Sequence, residues 1–430
     1  MSDLFQDLSF RGLVHQTTDP LVEKAINGSP ITLYAGFDPT ADSLHLGSLL
    51  PLLVLKRFQL AGHSPIAVVG GATGMVGDPS GKSAERNLQD ETQIAKNLAG
   101  IRKVIEKVLA PQGKTPAKVA NNADWMKSFS FLGFLRDVGK HFSVNVMLGK
   151  DSVKLRLEDR DQGISYTEFS YMLLQAYDFY YLNKHNSCAL QVGGSDQWGN
   201  ITAGTELIRR IAASEGKEAP KVFGLTFPLV MKADGTKFGK TEAGTIWLSA
   251  EKTSPYQLYQ YLLQTSDADV MAWVKYFTFL SHDEIRALEE ATKSAPHERR
   301  AQKALASSVT EIVHGAAELA KVIEASAALF SGDISKLDAQ SLADVFREAP
   351  TTELTGSSLA NLALIDALVE TKLATSRGNA KKDLEGGGIS VNGEKISDLA
   401  YQLGPANALH GKFIVLRKGK KNYHVIKIKN

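Results

Sequence analysis

The stretch Ile31-Thr32-Leu33-Tyr34-Ala35-Gly36-Phe37-Asp38-Pro39-Thr40-Ala41-Asp42-Ser43-Leu44-His45-Leu46-Gly47-Ser48 decides how the rest of this chain is read. Ile31–Phe37 is an apolar run with the length of a buried strand, and the Asp, Pro, Thr and Ser residues after it make a loop. Gly47–Leu60 then has the length and apolar density of a packed helix. Pro51 falls in its first turns, where a missing N–H costs little. Pro65–Val69 is a second buried strand and ends in Gly70-Gly71-Ala72-Thr73-Gly74, while Val192-Gly193-Gly194-Ser195-Asp196 reads as a later strand reaching the same edge. Strand, helix, strand with glycines at the strand ends opens a nucleotide-binding sheet. The expected fold class is α/β: a Rossmann-like doubly wound parallel-sheet catalytic domain with a helical insertion, then an α-helical domain and a small α+β domain.

A chain of 430 residues is long enough for two or three domains and a large core. The lone cysteine, Cys188, excludes an intrachain disulfide and fits a reducing compartment. Met1-Ser2-Asp3-Leu4-Phe5-Gln6-Asp7 is acidic and lacks a basic region followed by an apolar run, so no signal peptide is expected. The longest apolar stretch, Leu44–Leu55, contains His45 and Ser48 and is too short to span a bilayer. A cytoplasmic protein with no membrane partner is expected. The net charge of +2 hides an asymmetry. From Arg377 to Asn430 there are eleven Lys and Arg against four Asp and Glu, while the other residues carry 38 against 43. A basic tail on an acidic body suggests a polyanionic partner reached through the C-terminus, although a solvated charged surface gives the same count.

Between about Asn87 and Tyr181 the pattern is mostly helical and reads as an insertion within the sheet domain. From Ser254 to about Ala328 it is helical again, rich in Ala, Leu and Glu. Residues 331–358 mix Gly, Pro, Asp and Thr and read as a linker. A short helix around Leu362–Val369 and a hairpin at Val391-Asn392-Gly393-Glu394 follow. The expected domains are therefore 1–230, 231–330, the linker 331–358, and 359–430.

Five clusters carry candidate chemistry. His45 and Ser48 sit where a loop turns into a helix, with Gly47 allowing a ligand close to the backbone and the helix start favouring an anion. Lys237-Phe238-Gly239-Lys240-Thr241 follows Ala233-Asp234-Gly235-Thr236, so cations lie on a glycine-hinged loop able to close on a pyrophosphate. Asp78-Pro79-Ser80-Gly81-Lys82 with Arg86 is another glycine-hinged cationic segment, without P-loop spacing. Tyr171, Gln175 and Asp178 share one helical face, which either meets solvent or lines a pocket for a small zwitterion bearing a hydroxyl. Asp196 and Gln197, beyond two glycines, are placed to hydrogen-bond a ribose or a carboxylate, or else simply form a turn.

Assembled, these residues resemble the bacterial tyrosyl-tRNA synthetases, class I aminoacyl-tRNA synthetases, over essentially Gly12–Lys427. The resemblance rests on Tyr34–His45, on Gly193-Gly194-Ser195-Asp196-Gln197-Trp198-Gly199-Asn200 and on Lys237–Thr241. It implies a two-step reaction in which L-tyrosine and ATP, with Mg2+ carried by the ATP, give tyrosyl-adenylate and pyrophosphate. The tyrosyl group then passes to the 3′ end of tRNA(Tyr). No protein-bound metal is implied. In the family's pattern Tyr34 and Asp178 would bind the phenol, and Tyr171, Gln175 and Asp78 the ammonium group. Thr40, His45, Ser48, Lys82, Arg86, Lys237, Lys240 and Thr241 would stabilise the departing pyrophosphate. Asp38, Gly47, Asp196 and Gln197 would position the nucleotide and the tyrosine carboxylate. Residues 231–330 would hold the lysine loop and a helical anticodon-binding domain, and 359–430 a ribosomal-protein-like RNA-binding domain. There Arg377, Lys381, Lys382, Arg417, Lys418, Lys420 and Lys421 would meet phosphates. The family's members are homodimers, and Phe131–Met147 resembles their interface segment.

Two positions depart from the family's pattern: Ser48 stands where a histidine is usual, and Ala35 where a cysteine is common. Two rivals remain at this point. One is a tryptophanyl relative or another nucleotidyl-transferring member of the histidine-signature superfamily, against which Asp178 opposite Tyr34 argues for a phenolic substrate. The other is an RNA-binding or regulatory protein on an inactive synthetase scaffold, for which Ser48 is the only foothold and which the intact Lys237 and Lys240 oppose.

Overall fold

The computed structural model describes residues 3–80, 89–110, 115–150, 153–154, 157, 163–236, 238–241, 244–331, 333–347, 349–419 and 422–429. They fall into two compact units, one of residues 1–253 with 264–309, the other of 254–263 with 310–430. The expected domain 231–330 is thus divided, because the chain leaves the first unit for one short helix, returns, and leaves again.

The first unit is built on six strands: β1 (Gln16–Thr17), β2 (Thr32–Phe37), β3 (Ser64–Val69), β4 (Lys118–Asn121), β5 (Cys188–Gly194) and β6 (Phe223–Phe227). Their order is β1-β6-β5-β2-β3-β4, parallel except for β1 against β6. From β2 the chain runs outward through β3 to β4, then restarts on the other side of β2 with β5. The loops beyond β2 and β5 consequently part in opposite directions and leave a crevice at the carboxyl edge.

Both expected central strands form, and for the expected reason. β2 buries Leu33, Tyr34, Ala35 and Phe37, and β3 is buried from Pro65 to Val69, as parallel strands covered on both faces require. The helix expected over Gly47–Leu60 is a 3-10 turn at Leu46–Ser48 followed by an α-helix at Leu49–Leu60, buried from Leu49 through Gln59 except at Pro51. Helix Tyr166–Asn186 packs beside helix Trp198–Ser214 and on β5, placing Phe179 against Tyr34 with ring centroids 5.5 Å apart.

Two expectations are corrected. The segment read as a helical insertion also contributes β4, paired with β3 from Ile66↔Lys118 to Val69↔Asn121. As a four-residue edge strand it has too little apolar alternation to stand out. The segment read as a linker contains a helix, Ala339–Val345, and a strand, Thr351–Thr355. That strand lies parallel to Asn422–Lys429, with Val425 opposite Thr351. Its polar alternation suits a sheet edge, and its partner is too distant in sequence for local pattern to reveal the pairing.

In the second unit the five-stranded sheet runs Glu394–Lys395, Ile389–Val391, Phe413–Lys418, Asn422–Lys429, Thr351–Thr355. The expected hairpin forms at Asn392-Gly393, whose positive φ of 50° and 90° supply the turn that twisted strands need. Helices Leu364–Glu370 and Arg377–Glu385 cover a core containing Leu368, Leu384, Ile414, Leu416 and Ile426. Among the described residues no helix is long and apolar enough to cross a membrane.

Phe179 is fully buried beneath the crevice. Phe179→Ala is expected to destabilise the protein by ~3–5 kcal/mol, through lost burial and the cavity left behind. Urea denaturation followed by tryptophan fluorescence checks this, and a loss below about 1 kcal/mol is the contrary outcome.

Candidate active site

The crevice holds a cavity of about 330 Å³. Its lining gathers Tyr34, Asp38, Thr40, His45, Gly47, Ser48, Asp78, Tyr171, Gln175, Asp178, Asp196 and Gln197, residues spread over more than 160 positions of sequence. Strand β2 ends at Phe37 and delivers Tyr34 and Asp38; β5 ends at Gly194 and delivers Asp196 and Gln197 in a 3-10 turn. Helix Tyr166–Asn186 turns Tyr171, Gln175 and Asp178 inward, so the polar face is a pocket wall rather than a solvated one. Lys82, Arg86 and Lys237 lie outside the described residues. Lys240 and Thr241 form a short strand against Gly244–Thr245, and Lys240 is exposed and outside the cavity lining.

The floor is a connected polar network. Asp178 is almost completely buried, its Oδ1 accepting from Trp125 Nε1 at 2.8 Å and its Oδ2 from Asn122 Nδ2 at 3.0 Å. Asn122 also donates to Thr73 Oγ1 (3.0 Å) and accepts from the Ala72 amide (2.7 Å). Thr73 donates on to Asp38 Oδ1 at 2.8 Å, and the Tyr171 hydroxyl donates to Asp38 Oδ2 at 2.9 Å. Tyr34 contrasts with this. It is 1% exposed, and its hydroxyl has no hydrogen-bond partner among the described residues. A buried hydroxyl without a partner costs roughly 1–3 kcal/mol, so a ligand bringing a hydroxyl to it recovers that loss.

Charge is unevenly distributed across the wall. Burial pushes the Asp178 carboxyl up to about 7, opposed by the donors Asn122 and Trp125 and reinforced by Asp38. Burial and then the neighbouring Asp38 and Asp78 raise the Tyr171 phenol well above its ordinary value. Asp196 is raised by burial first and by Asp78 second. Gln197 Nε2 donates to Asp78 Oδ2 at 2.7 Å, and Asn200 Nδ2 donates to Gln175 Oε1 and Gln197 Oε1, both at 3.1 Å. Four carboxylates around one small cavity favour a cation such as an ammonium group.

At the mouth, the two loops singled out in the sequence meet. The Leu46 amide donates to Ile246 O (2.8 Å), the Leu248 amide to Leu44 O (2.9 Å) and the Ile246 amide to Gly239 O (2.9 Å). Gly239 has φ +78°, and a Cβ there would stand 3.2 Å from Leu46 Cβ, so glycine allows both the conformation and the approach. Ser48 lies with its hydroxyl 3.4 Å from both ring nitrogens of His45, whose Nδ1 accepts from the Ser48 amide at 3.2 Å.

The match to known proteins agrees with this geometry. Residues 26–331 match the family tRNA synthetases class I (W and Y), and residues 341–426 match the tyrosine–tRNA ligase SYY-like C-terminal domain. The chain belongs to the class I tRNA synthetases. It is 53% identical to a tyrosine–tRNA ligase of Bacillus velezensis, over 99% of this chain and all of the relative. It is 52% identical to tyrosine–tRNA ligase 1 of Bacillus subtilis over the whole of both. A crystal structure of a C-terminally truncated mitochondrial tyrosyl-tRNA synthetase from Aspergillus nidulans superposes with a TM-score of 0.69 at 33% identity, covering 77% of this chain and 95% of that one. The resemblance drawn from the motifs is thereby borne out, as is the α/β fold class.

Sequence reasoning missed Trp125, which donates to Asp178, and Asn122 and Thr73, which join Asp178 to Asp38. Asn122 follows β4, and recognising that edge strand would have placed it at the carboxyl edge. In the second unit, Arg377, Lys381 and Lys382 lie on helix Arg377–Glu385 and Arg417 and Lys418 end a strand, drawn together by Lys418 pairing with Asp383 at 2.6 Å. Arg377 pairs with Asp366 at 3.2 Å. Lys420 and Lys421 lie outside the described residues.

Asn122→Ala removes a donor that holds the Asp178 carboxyl down, so its titration midpoint is expected to rise above about 7. Between the ordinary value of 3.8 and about 7 the folded protein holds a proton here that the unfolded chain releases. This group therefore makes stability fall as pH rises through that window, and the variant extends the window upward. Carbon-13 NMR of the Asp178 carboxyl measures the midpoint, and an unchanged or lower value is the contrary result.

Proposed function

We propose that this chain activates L-tyrosine with ATP and transfers it to tRNA(Tyr), with the cavity as the tyrosine and adenylate site. The ligase class follows from the family and from full-length identity of about half to named tyrosine–tRNA ligases. The assignment of residues to steps is our own reading, and one observation carries it: the unpartnered, buried Tyr34 hydroxyl on the same cavity wall as Asp178. A phenol placed there donates to Asp178 and accepts from Tyr34. Phenylalanine leaves the Tyr34 hydroxyl without a partner and brings Asp178 no donor beyond Trp125 and Asn122, which is why such a site rejects it.

With the ring seated, the ammonium group falls to Tyr171, Gln175 and Asp78, in a wall already arranged around negative charge. Gln197 orients the carboxylate, and Asp38, Gly47 and Asp196 bind the nucleotide. The tyrosine carboxylate oxygen attacks the α-phosphorus of Mg-ATP, forming the acyl–phosphate bond as the bond to pyrophosphate breaks. Thr40, His45 and Ser48 on one loop, with Lys82, Arg86, Lys237, Lys240 and Thr241, stabilise the charge moving onto pyrophosphate. No side chain acts as a nucleophile; catalysis is positioning plus electrostatics. A hydroxyl of the tRNA's terminal adenosine then attacks the acyl carbon, and AMP leaves.

The basic residues Arg377, Lys381, Lys382, Arg417 and Lys418, and by sequence Lys420 and Lys421, are the proposed phosphate contacts for tRNA. A homodimer is proposed through Phe131–Met147, where Phe131 and Leu132 are 67% and 75% exposed and Val144 and Val146 are exposed as well. A cytoplasmic location is the setting in which charging operates.

Amino-acid-dependent ATP–pyrophosphate exchange tests the reading, with tyrosine, tryptophan and phenylalanine supplied singly. Exchange with tyrosine is expected, and Tyr34→Phe should narrow the preference for tyrosine over phenylalanine by roughly 5- to 100-fold. Exchange supported by tryptophan, or none with any amino acid, overturns it. A chain ending at Lys336, ahead of the edge strand that completes the second sheet, is expected to keep exchange and lose tRNA charging. Unchanged charging would remove the RNA role from this unit.

A further inference from the structure

Helix Asp267–Phe277 lies outside the cavity lining, yet it holds the lysine loop at two points. Near its start, Asp269 is buried, with Oδ1 accepting from the Ala233 amide at 2.7 Å and Oδ2 accepting from Ser266 Oγ at 2.7 Å. Ala233 opens the turn that leads into the lysines. That turn is closed by the Gly235 amide on Lys232 O and the Lys232 amide on Thr236 O, both at 2.9 Å. Further along the helix, Trp273 and Phe277 grip Phe238, their ring centroids 4.4 and 4.9 Å from its own. Phe238 is itself buried, whereas Lys240 two residues later is exposed.

The far end of the same helix is tied to the helix that follows the histidine loop. Arg57, buried on helix Leu49–Leu60, donates through Nη2 to Thr278 O. Arg11, also buried, donates through Nη1 to Thr278 O at 3.1 Å and Lys275 O at 3.2 Å. Helix Leu49–Leu60 begins where the histidine loop ends. One rigid rod of eleven residues, about 16 Å long, therefore connects the histidine loop's helix to the lysine loop.

We propose that Asp269 is a positioning residue for adenylate formation, fixing the lysine loop through the Ala233 amide so that Lys240 is aimed at the departing pyrophosphate. The inference rests on the proposed activation of tyrosine and deepens it. An ammonium group stabilises a developing charge only at the place where that charge appears, and small displacements are costly in rate. Asp269 touches no cavity-lining residue through its described hydrogen bonds, so its loss should leave ground-state tyrosine binding intact.

The full-length protein tests this through Asp269→Ala and Asp269→Asn. Tyrosine affinity is read by equilibrium dialysis, kcat and KM by pyrophosphate exchange, and melting temperature by calorimetry. Asp269→Ala is expected to lower kcat roughly 10- to 100-fold with tyrosine affinity within about twofold. Asp269→Asn keeps an oxygen that accepts from Ala233 and should restore most of the rate. Phe238→Leu, which loosens the second grip, is expected to lower kcat in the same selective way. Wild-type kcat in Asp269→Ala overturns the proposal. So does an equal loss of kcat and tyrosine affinity, or a failure of Asp269→Asn to recover. Absence of tyrosine-dependent exchange in the unaltered protein would instead sink the functional reading itself.

Discussion

Burying the Asp178 carboxylate is the constraint around which the catalytic unit is arranged. Taking a charge out of water is expensive unless donors surround it, and here Trp125 and Asn122 supply one N–H to each oxygen. Those donors come from the end of β4 and the turn of helix after it, so a four-residue edge strand is needed to hold a group on a helix 56 positions later. Asn122 then passes the order on, through Thr73 to Asp38 and Tyr171. Among the described residues of the wall, the Tyr34 hydroxyl and Gln191 Oε1 are left without a hydrogen-bond partner.

The mouth of the cavity is organised by a different force. Backbone hydrogen bonds between Leu44–Leu46 and Ile246–Leu248 stitch the histidine loop to the segment after the lysine loop. They fix the peptide chain while leaving Lys240 in solvent. Floor and mouth thus divide the work. In the proposed reading the floor selects by satisfying buried polar groups, whereas the mouth brings charge to a bond that breaks. Selection needs immobility and a dry wall. Stabilising a leaving group needs long side chains on a well-held backbone.

Much of this was legible in the sequence, for particular reasons. Strands β2 and β3 announced themselves because parallel strands covered on both faces are continuous apolar runs. The hairpin at Asn392-Gly393 was legible because few residues accept its left-handed backbone. The polar face of Tyr171, Gln175 and Asp178 could be drawn from helical spacing, but whether it met water or a pocket could not. Strand β4 and strand Thr351–Thr355 escaped because short edge strands carry little alternation and their partners lie far along the chain. Asn122 escaped with β4, since an asparagine after an unrecognised strand has no address.

What the sequence determined alone was the inventory: the parallel-sheet core, the residue types suited to a phenol, an ammonium group and a triphosphate, and the basic tail. These follow from local periodicity and from side-chain chemistry, which need no third dimension. Tertiary structure decided which of those groups are buried, which are paired and which are left open. By wrapping Asp178 in protein it pushed that carboxyl up to about 7, against two donors that hold it down. It also joined the histidine and lysine loops through backbone hydrogen bonds from Leu46 to Ile246 and from Ile246 to Gly239. Burial and hydrogen-bond saturation are properties of neighbours in space, and the neighbours of Tyr34 and Asp178 come from segments that sequence order keeps apart.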